Sequence, residues 1–267
     1  MLTALVYGPS PMADRPSNRR MAPFGAADVE ASSKQTMVNE VFAKVASKYD
    51  QMNDLMSFGL HRLWKDDLVA MLNPPRTARP FEVLDLAGGT GDIACRILRA
   101  GGTGLRVTLA DISPAMLAEG RRRIAAERLV RRCRFAVTNA EALAFRSAAF
   151  DALTIGFGIR NVTDIGQALR EAYRVLRPGG RFLCLEFSRV DVPVIETLYD
   201  LYSLTTIPAL GKIVTGDGQP YRYLVESIRR FPDAASFARK MEDAGFSQVS
   251  FRILSAGVVA IHSGWRT

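Results

Sequence analysis

Cysteine and histidine are scarce in this 267-residue chain, which has three cysteines and two histidines. Cys95, Cys133 and Cys184 lie far apart with no CxxC pair. That spacing argues against a disulfide framework and a structural zinc site, and it suits a reducing compartment. Long apolar runs are missing as well. The longest uncharged stretches, Met1 to Ala13 and Ile253 to Trp265, fall short of the roughly 18 to 20 residues that a membrane-spanning helix needs. There is no internal repeat. With 48% hydrophobic and 23% charged residues, the composition excludes intrinsic disorder and collagen-like repetition.

Arginine is abundant. The net charge is +8, and of the 35 basic residues all but six lysines are arginine. The densest patch is Arg121, Arg122, Arg123, Arg128, Arg131, Arg132 and Arg134. It reads either as a solvated helix face or as a contact for acidic lipid or an acidic partner.

Patterning divides the chain. Residues 1–32, rich in Pro, Ser, Gly, Ala and Arg without a period, read as a poorly ordered leader with some likeness to an organelle transit peptide. Residues 33–267 read as one domain. Its N-terminal part, 33–75, holds a helix over Met37 to Tyr49 and another over His61 to Leu72, stopped at Asn73-Pro74-Pro75-Arg76. Between 76 and 188, strands Phe81–Ala87, Arg106–Asp111, Cys133–Thr138, Ala152–Phe157 and Arg181–Phe187 alternate with helices Ile93–Ala100, Pro114–Arg128 and Asp164–Val175. Residues 189–232 form a tyrosine-rich capping insertion, and 233–267 add a helix at Ala234–Ala244 and two edge strands, Gln248–Leu254 and Gly257–Ser263. The alternation predicts a doubly wound, Rossmann-like α/β fold with a seven-stranded, mostly parallel sheet.

The most informative stretch is Val83 to Asp92, an apolar strand that runs through Ala87-Gly88-Gly89-Thr90-Gly91 into a helix. Glycines there let a ligand approach the main chain. Asp111, twenty residues past Gly91 at the end of the next strand and followed by Ile112, suits the ribose hydroxyls of a nucleoside cofactor. A nicotinamide enzyme would also use a glycine turn. Asp85 before the turn and Asp92 after it would, however, repel a pyrophosphate, and they suit the cationic amino acid end of S-adenosylmethionine. Asp92 as a helix cap and Asp85 tied to loop amides is the structural alternative. Asn139-Ala140-Glu141 follows the third strand, where an amide could read an adenine edge. Gly156 to Asn161 follows the fourth, at the carboxyl edge where open α/β folds bind ligands.

The chain resembles the ubiquinone/menaquinone biosynthesis C-methyltransferases. The likeness is carried by Phe42 to Asp50, Met52 to Ser57, Gly59 to Lys65, Ala87 to Asp92, Phe157 to Thr163, Arg174 to Ser188 and Tyr223 to Ile228. The endings Val259 to Gly264 and Gly179 to Phe187 look most like the mitochondrial branch. The resemblance implies a class I S-adenosylmethionine-dependent methyltransferase acting on a polyprenyl benzoquinol, with the cofactor contacted by Thr90, Asp111, Asn139 and Ala140. Gly88, Gly89, Gly91, Ile112, Asp85 and Gly156 complete the expected cofactor set. Gly156 departs from the usual Ser or Ala, and Pro220 from a usual Ser.

Arg160 is the resemblance's catalytic candidate, stabilising a phenolate, because an arginine stays protonated. Asn161 either orients the substrate hydroxyl or caps the helix near Thr163. Tyr199, Tyr202, Tyr221 and Tyr223 line an aromatic wall for the substrate or serve as core packing. His61 reads as a packing or hydrogen-bonding residue, and no metal is expected. Further expectations are peripheral attachment at the matrix face of the mitochondrial inner membrane, or else to a bacterial membrane from the cytoplasm. A multi-subunit quinone-synthesis complex and a homodimer are expected too, and nucleic acid is not. Two rivals remain: a nucleic-acid methyltransferase, which lacks its Asn/Asp-Pro-Pro-Tyr/Phe motif here, and a non-catalytic cofactor-binding scaffold subunit.

Overall fold

The computed structural model describes residues 21–45, 53–54, 57–188 and 219–267, with only the backbone for 42–45 and 219–221. The chain opens with an antiparallel hairpin, β1 (Met21–Phe24) and β2 (Ala27–Glu30), which runs into helix α1 (Ala31–Val45). The sequence predicts a leader over residues 1–32 and a helix only from Met37; the hairpin and the first turns of α1 lie within that stretch instead. The hairpin forms because the far end of the chain holds it: Glu226 accepts from the Ala26 amide at 2.9 Å, and Arg230 donates to the Ala27 carbonyl and to Asp28. Local composition carries no trace of those contacts.

Helix α2 (Leu60–Leu72) precedes the central sheet. There β3 (Phe81–Leu86), β4 (Leu105–Asp111), β5 (Cys133–Val137), β6 (Phe150–Gly156), β7 (Leu176–Phe187), β8 (Ser247–Leu254) and β9 (Val259–Trp265) lie in the order β5-β4-β3-β6-β7-β9-β8. Strands β5 to β7 in that order are parallel, and β9 runs antiparallel to both neighbours. The expected terminal hairpin therefore forms, with β9 inside the sheet and β8 at its edge. The connecting helices are α3 (Asp92–Ala100), α4 (Pro114–Ala126), α5 (Ile165–Val175), α6 (Gln219–Arg230) and α7 (Ala234–Asp243).

Both faces of the sheet are covered, as a parallel sheet requires. Alternation along β3 sends Val83 toward Ile97, Leu98 and Leu68 on one side, and Leu84 and Leu86 toward Phe182, Phe237 and Leu169 on the other. Helix α3 shows how its sequence makes this possible: Ile93, Ala94, Ile97 and Leu98 form one buried stripe, and Arg99 faces out. Fully burying each such aliphatic side chain contributes about 1.5–3 kcal/mol, so Leu98→Ala would cost about 2–5 kcal/mol. Caps fix the helix starts, Ser113 accepting from the Met116 amide, Asp164 from Gln167 and Asp233 from Ser236. Gly245, at φ 103°, terminates α7 as its spacing suggests.

The arginine stretch is not a uniform solvated face. Arg121 lies over Phe135 at 4.3 Å, Arg122 pairs with Glu119, Arg123 donates to Thr90, and Arg132 donates to the Gly102 carbonyl. Among the described residues no helix is long and apolar enough to cross a membrane.

Candidate active site

The carboxyl ends of β3, β4, β5 and β6 meet over a cavity of about 920 Å³, its open mouth included. Its floor is the turn after β3. Ala87, Gly89 and Gly91 all have positive φ, of 52°, 52° and 74°, and Gly91 is the N-cap of α3. Ala87 holds this conformation at some cost for a residue with a Cβ. Phe157, the corresponding exit from β6, does the same at φ 57°. Both line the cavity.

Asp111 closes β4 and ties two turns together, Oδ2 accepting from the Gly89 amide at 2.9 Å and Oδ1 from the Ser113 amide at 2.8 Å. Burial raises its carboxyl above the ordinary range, and those amides, with that of Ile112, pull it back. Asn139 Oδ1 accepts from the Glu141 amide at 2.9 Å, which leaves the Asn139 amino group to donate to a ligand. Ile112, Ala140, Gly88, Thr90 and Gly156 complete this part of the lining.

At the other end, Lys65 from α2 donates to Asp92 Oδ2 at 2.9 Å, and Asp92 Oδ1 accepts from Arg96 Nε at 3.0 Å. Burial alone would raise the Asp92 carboxyl, but Lys65 and Arg96 outweigh it and the net shift is downward. Asp85 lies beneath the turn and does not line the cavity. Its Oδ1 accepts from Thr154 at 2.9 Å, while Oδ2 is buried without a partner and faces Gly88. Burial pushes its carboxyl up to about 7. Helix α1 covers the cavity with Gln35, Val38 and Asn39.

A family profile, ubiE/COQ5 methyltransferase family, matches residues 30–266. The chain belongs to this family. Curated relatives include the ubiquinone/menaquinone biosynthesis C-methyltransferase UbiE of Nitrobacter hamburgensis, 58% identical over 91% of this chain and 96% of the relative. The UbiE of Methylobacterium nodulans is 60% identical over the same shares. Solved structures with the same fold include an S-adenosylmethionine-dependent methyltransferase of Thermotoga maritima (TM-score 0.59, 18% identity, covering 85% of this chain and 99% of that one). The [4+2]-cyclase SpnF is a second (TM-score 0.55, 18% identity, 87% and 96%). At such identities these two speak for the fold alone.

The structure thus brings Gly88, Gly89, Thr90, Asp111, Ile112, Asn139, Ala140, Gly156 and Asn161 to one cavity, while Asp85 and Gly91 support it from below. Arg160 is placed elsewhere. Its guanidinium is buried against Glu186 at 2.8 Å, donates to the Phe157 carbonyl at 2.6 Å, and faces a second, smaller cavity. Asn161 does not cap α5, which Asp164 does; it accepts from the Tyr223 hydroxyl at 3.0 Å. Tyr223 stacks on Phe24 and lines the second cavity, and burial pushes its hydroxyl up to about 12. Tyr199 and Tyr202 lie outside the described residues, and of Tyr221 only the backbone is described. His61 is buried, its Nε2 2.8 Å from Asp54. Among the described residues no cluster of three His, Cys, Asp or Glu could hold a metal. Lys65 is the contributor that sequence reasoning missed. It ends the Gly59 to Lys65 motif, but nothing local shows that α2 delivers it to Asp92, 27 residues away.

Proposed function

We propose that this S-adenosylmethionine-dependent C-methyltransferase methylates a ring carbon of a polyprenyl quinol, converting 2-methoxy-6-polyprenyl-1,4-benzoquinol to its 5-methyl product. The observation that carries the reading is the cavity itself, with Asp111 at one end and the Lys65–Asp92 pair at the other. S-adenosylmethionine, when bound, supplies an electrophilic methyl group on a sulfonium.

The residues present fit that cofactor. Asp111 retains acceptor capacity for ribose hydroxyls beyond its two amide bonds, and the missing Cβ of Gly89 leaves space before it. The Asn139 amino group and the main chain at Ala140 and Ile112 would hold an adenine. Lys65 and Asp92 offer a cation and an anion to a zwitterionic amino acid end, matching opposite charges without leaving either buried alone. Asn161, positioned by Tyr223, would orient a ring hydroxyl, and the apolar walls of Val38, Ile93, Met116 and Phe157 would exclude water.

The names of these relatives carry both ubiquinone and menaquinone, and this supports the wider reading in which demethylmenaquinol is a second substrate. Those relatives are bacterial, which favours a membrane-associated enzyme reached from the bacterial cytoplasm over a mitochondrial one. Peripheral membrane contact belongs to the same reading because a polyprenyl tail partitions into a bilayer. A multi-subunit quinone-synthesis complex and a homodimer are parts of it that the geometry neither requires nor opposes. The test is the extracted quinone profile of cells lacking this protein: a quinol one methyl short should accumulate and vanish on complementation. An unchanged profile would overturn the reading.

A further inference from the structure

The second cavity, about 420 Å³, lies between α1, α6, the β1–β2 hairpin and the turn at Ile159–Asn161. Three cations line it, and two are spoken for. Arg160 is held by Glu186, and Arg230 by Asp28 and two main-chain carbonyls. The third is Lys34. Its side chain is 1% exposed, and its Nζ donates to the Val162 carbonyl at 2.7 Å. Among the described residues no carboxylate lies within ion-pairing distance of it. Burying an ammonium without a counter-ion is costly, and its place in the first turn of α1 adds an unfavourable helix dipole. A cation kept at such cost in a cavity points to an anionic ligand.

Val162 lines this cavity and the cofactor cavity, and the Asn161–Tyr223 hydrogen bond runs between them. Lys34, bonded to the Val162 carbonyl, thus lies across the Val162 wall from the cavity that Asn161 lines. Resting on the quinol reading, we propose that the second cavity is the subsite for the substrate's ring hydroxyl and that the Lys34 ammonium binds that oxygen as the phenolate. The O–H proton leaves to solvent as the ion pair forms, and the charge that remains on oxygen makes the ring carbon nucleophilic. Burial also pushes the Lys34 amine down to about 8, with Glu141 opposing the shift and Arg230 adding to it. The other polar groups lining the cavity are Arg160, Thr163, Tyr223 and Ser227, with Glu186 behind Arg160.

The experiment uses the full-length protein with S-adenosylhomocysteine and a short-chain prenyl nitrophenol, whose phenolate is coloured. On the wild-type protein the bound probe should ionise about one pH unit or more below its value in water. Lys34→Met should abolish that displacement and Lys34→Arg should keep it. With the quinol substrate, Lys34→Met should lower turnover at pH 7 by a hundredfold or more. The deficit should shrink as rising pH ionises the phenol unaided, and the melting temperature should hold or rise. A wild-type probe with no displaced ionisation, a Lys34→Met protein that keeps the displacement, or a deficit that is flat with pH and accompanied by a lower melting temperature would overturn the assignment. A displaced probe on a wild-type protein that fails to methylate the quinol would leave Lys34 as a phenolate ligand and overturn the functional reading instead.

Discussion

The Arg160 guanidinium and the Glu186 carboxylate lie 2.8 Å apart with both side chains sealed from solvent, and the Arg160 amide also reaches Glu186. Burial raises the Glu186 carboxyl, and Arg160, with the Phe187 amide, opposes this. The pair fixes the turn that carries Phe157 and Asn161 to the cofactor cavity, so Arg160 acts on that cavity through its partners. Arg160→Ala should cost about 3–5 kcal/mol in chemical denaturation, because it strands a buried carboxylate. Adding Glu186→Gln should recover much of the loss. A cost under about 1 kcal/mol would show that Arg160 is not holding this turn.

Asp111→Ala should weaken S-adenosylmethionine binding by about 10- to 100-fold, since hydrogen bonds to a charged acceptor contribute about 1.5–3 kcal/mol. The sheet should survive, because β4 is held by its neighbours on both sides. Calorimetric titration of the folded variant with unchanged affinity would remove Asp111 from the site.

Lys65→Met should discriminate between ligands. S-adenosylhomocysteine, which carries the amino acid end, should lose about tenfold or more in affinity, while 5′-methylthioadenosine, which lacks it, should stay within about threefold. Equal losses for both would mean that Lys65 only steadies Asp92.

The Asp85 carboxyl, pushed up to about 7 by burial, makes stability depend on pH. The folded state favours the neutral form, so the stability it contributes is full below the unfolded value near 4 and is lost as pH rises through 7. Between pH 5 and 8 the wild-type protein should lose about 2–3 kcal/mol relative to Asp85→Asn, which keeps the Thr154 contact and cannot ionise. Parallel pH dependences for the two proteins in urea titrations would refute this.

Much of the architecture is legible in the sequence because local signals and tertiary packing agree. The alternation around Val83–Leu84 and the stripe of α3 mark the parallel sheet and its crossovers, and the glycine turn followed by Asp111 marks the cofactor end. What is not legible depends on contacts between distant segments. Glu226 and Arg230 order the hairpin at Met21–Glu30, α2 carries Lys65 to Asp92, and Glu186 holds Arg160 at the second cavity. Composition counted Lys34 among six lysines and gave no sign that it would be sealed in with no carboxylate among the described residues at ion-pairing distance.

The most direct measurement is a single-turnover reaction of the purified protein with methyl-deuterated S-adenosylmethionine and a short-chain 2-methoxy-6-prenyl-1,4-benzoquinol, with the product analysed by mass spectrometry and NMR. Methyl transfer by this site predicts one trideuteromethyl group on a ring carbon and S-adenosylhomocysteine in equal amount. A label on oxygen, or no product from a protein that binds the cofactor, would contradict it.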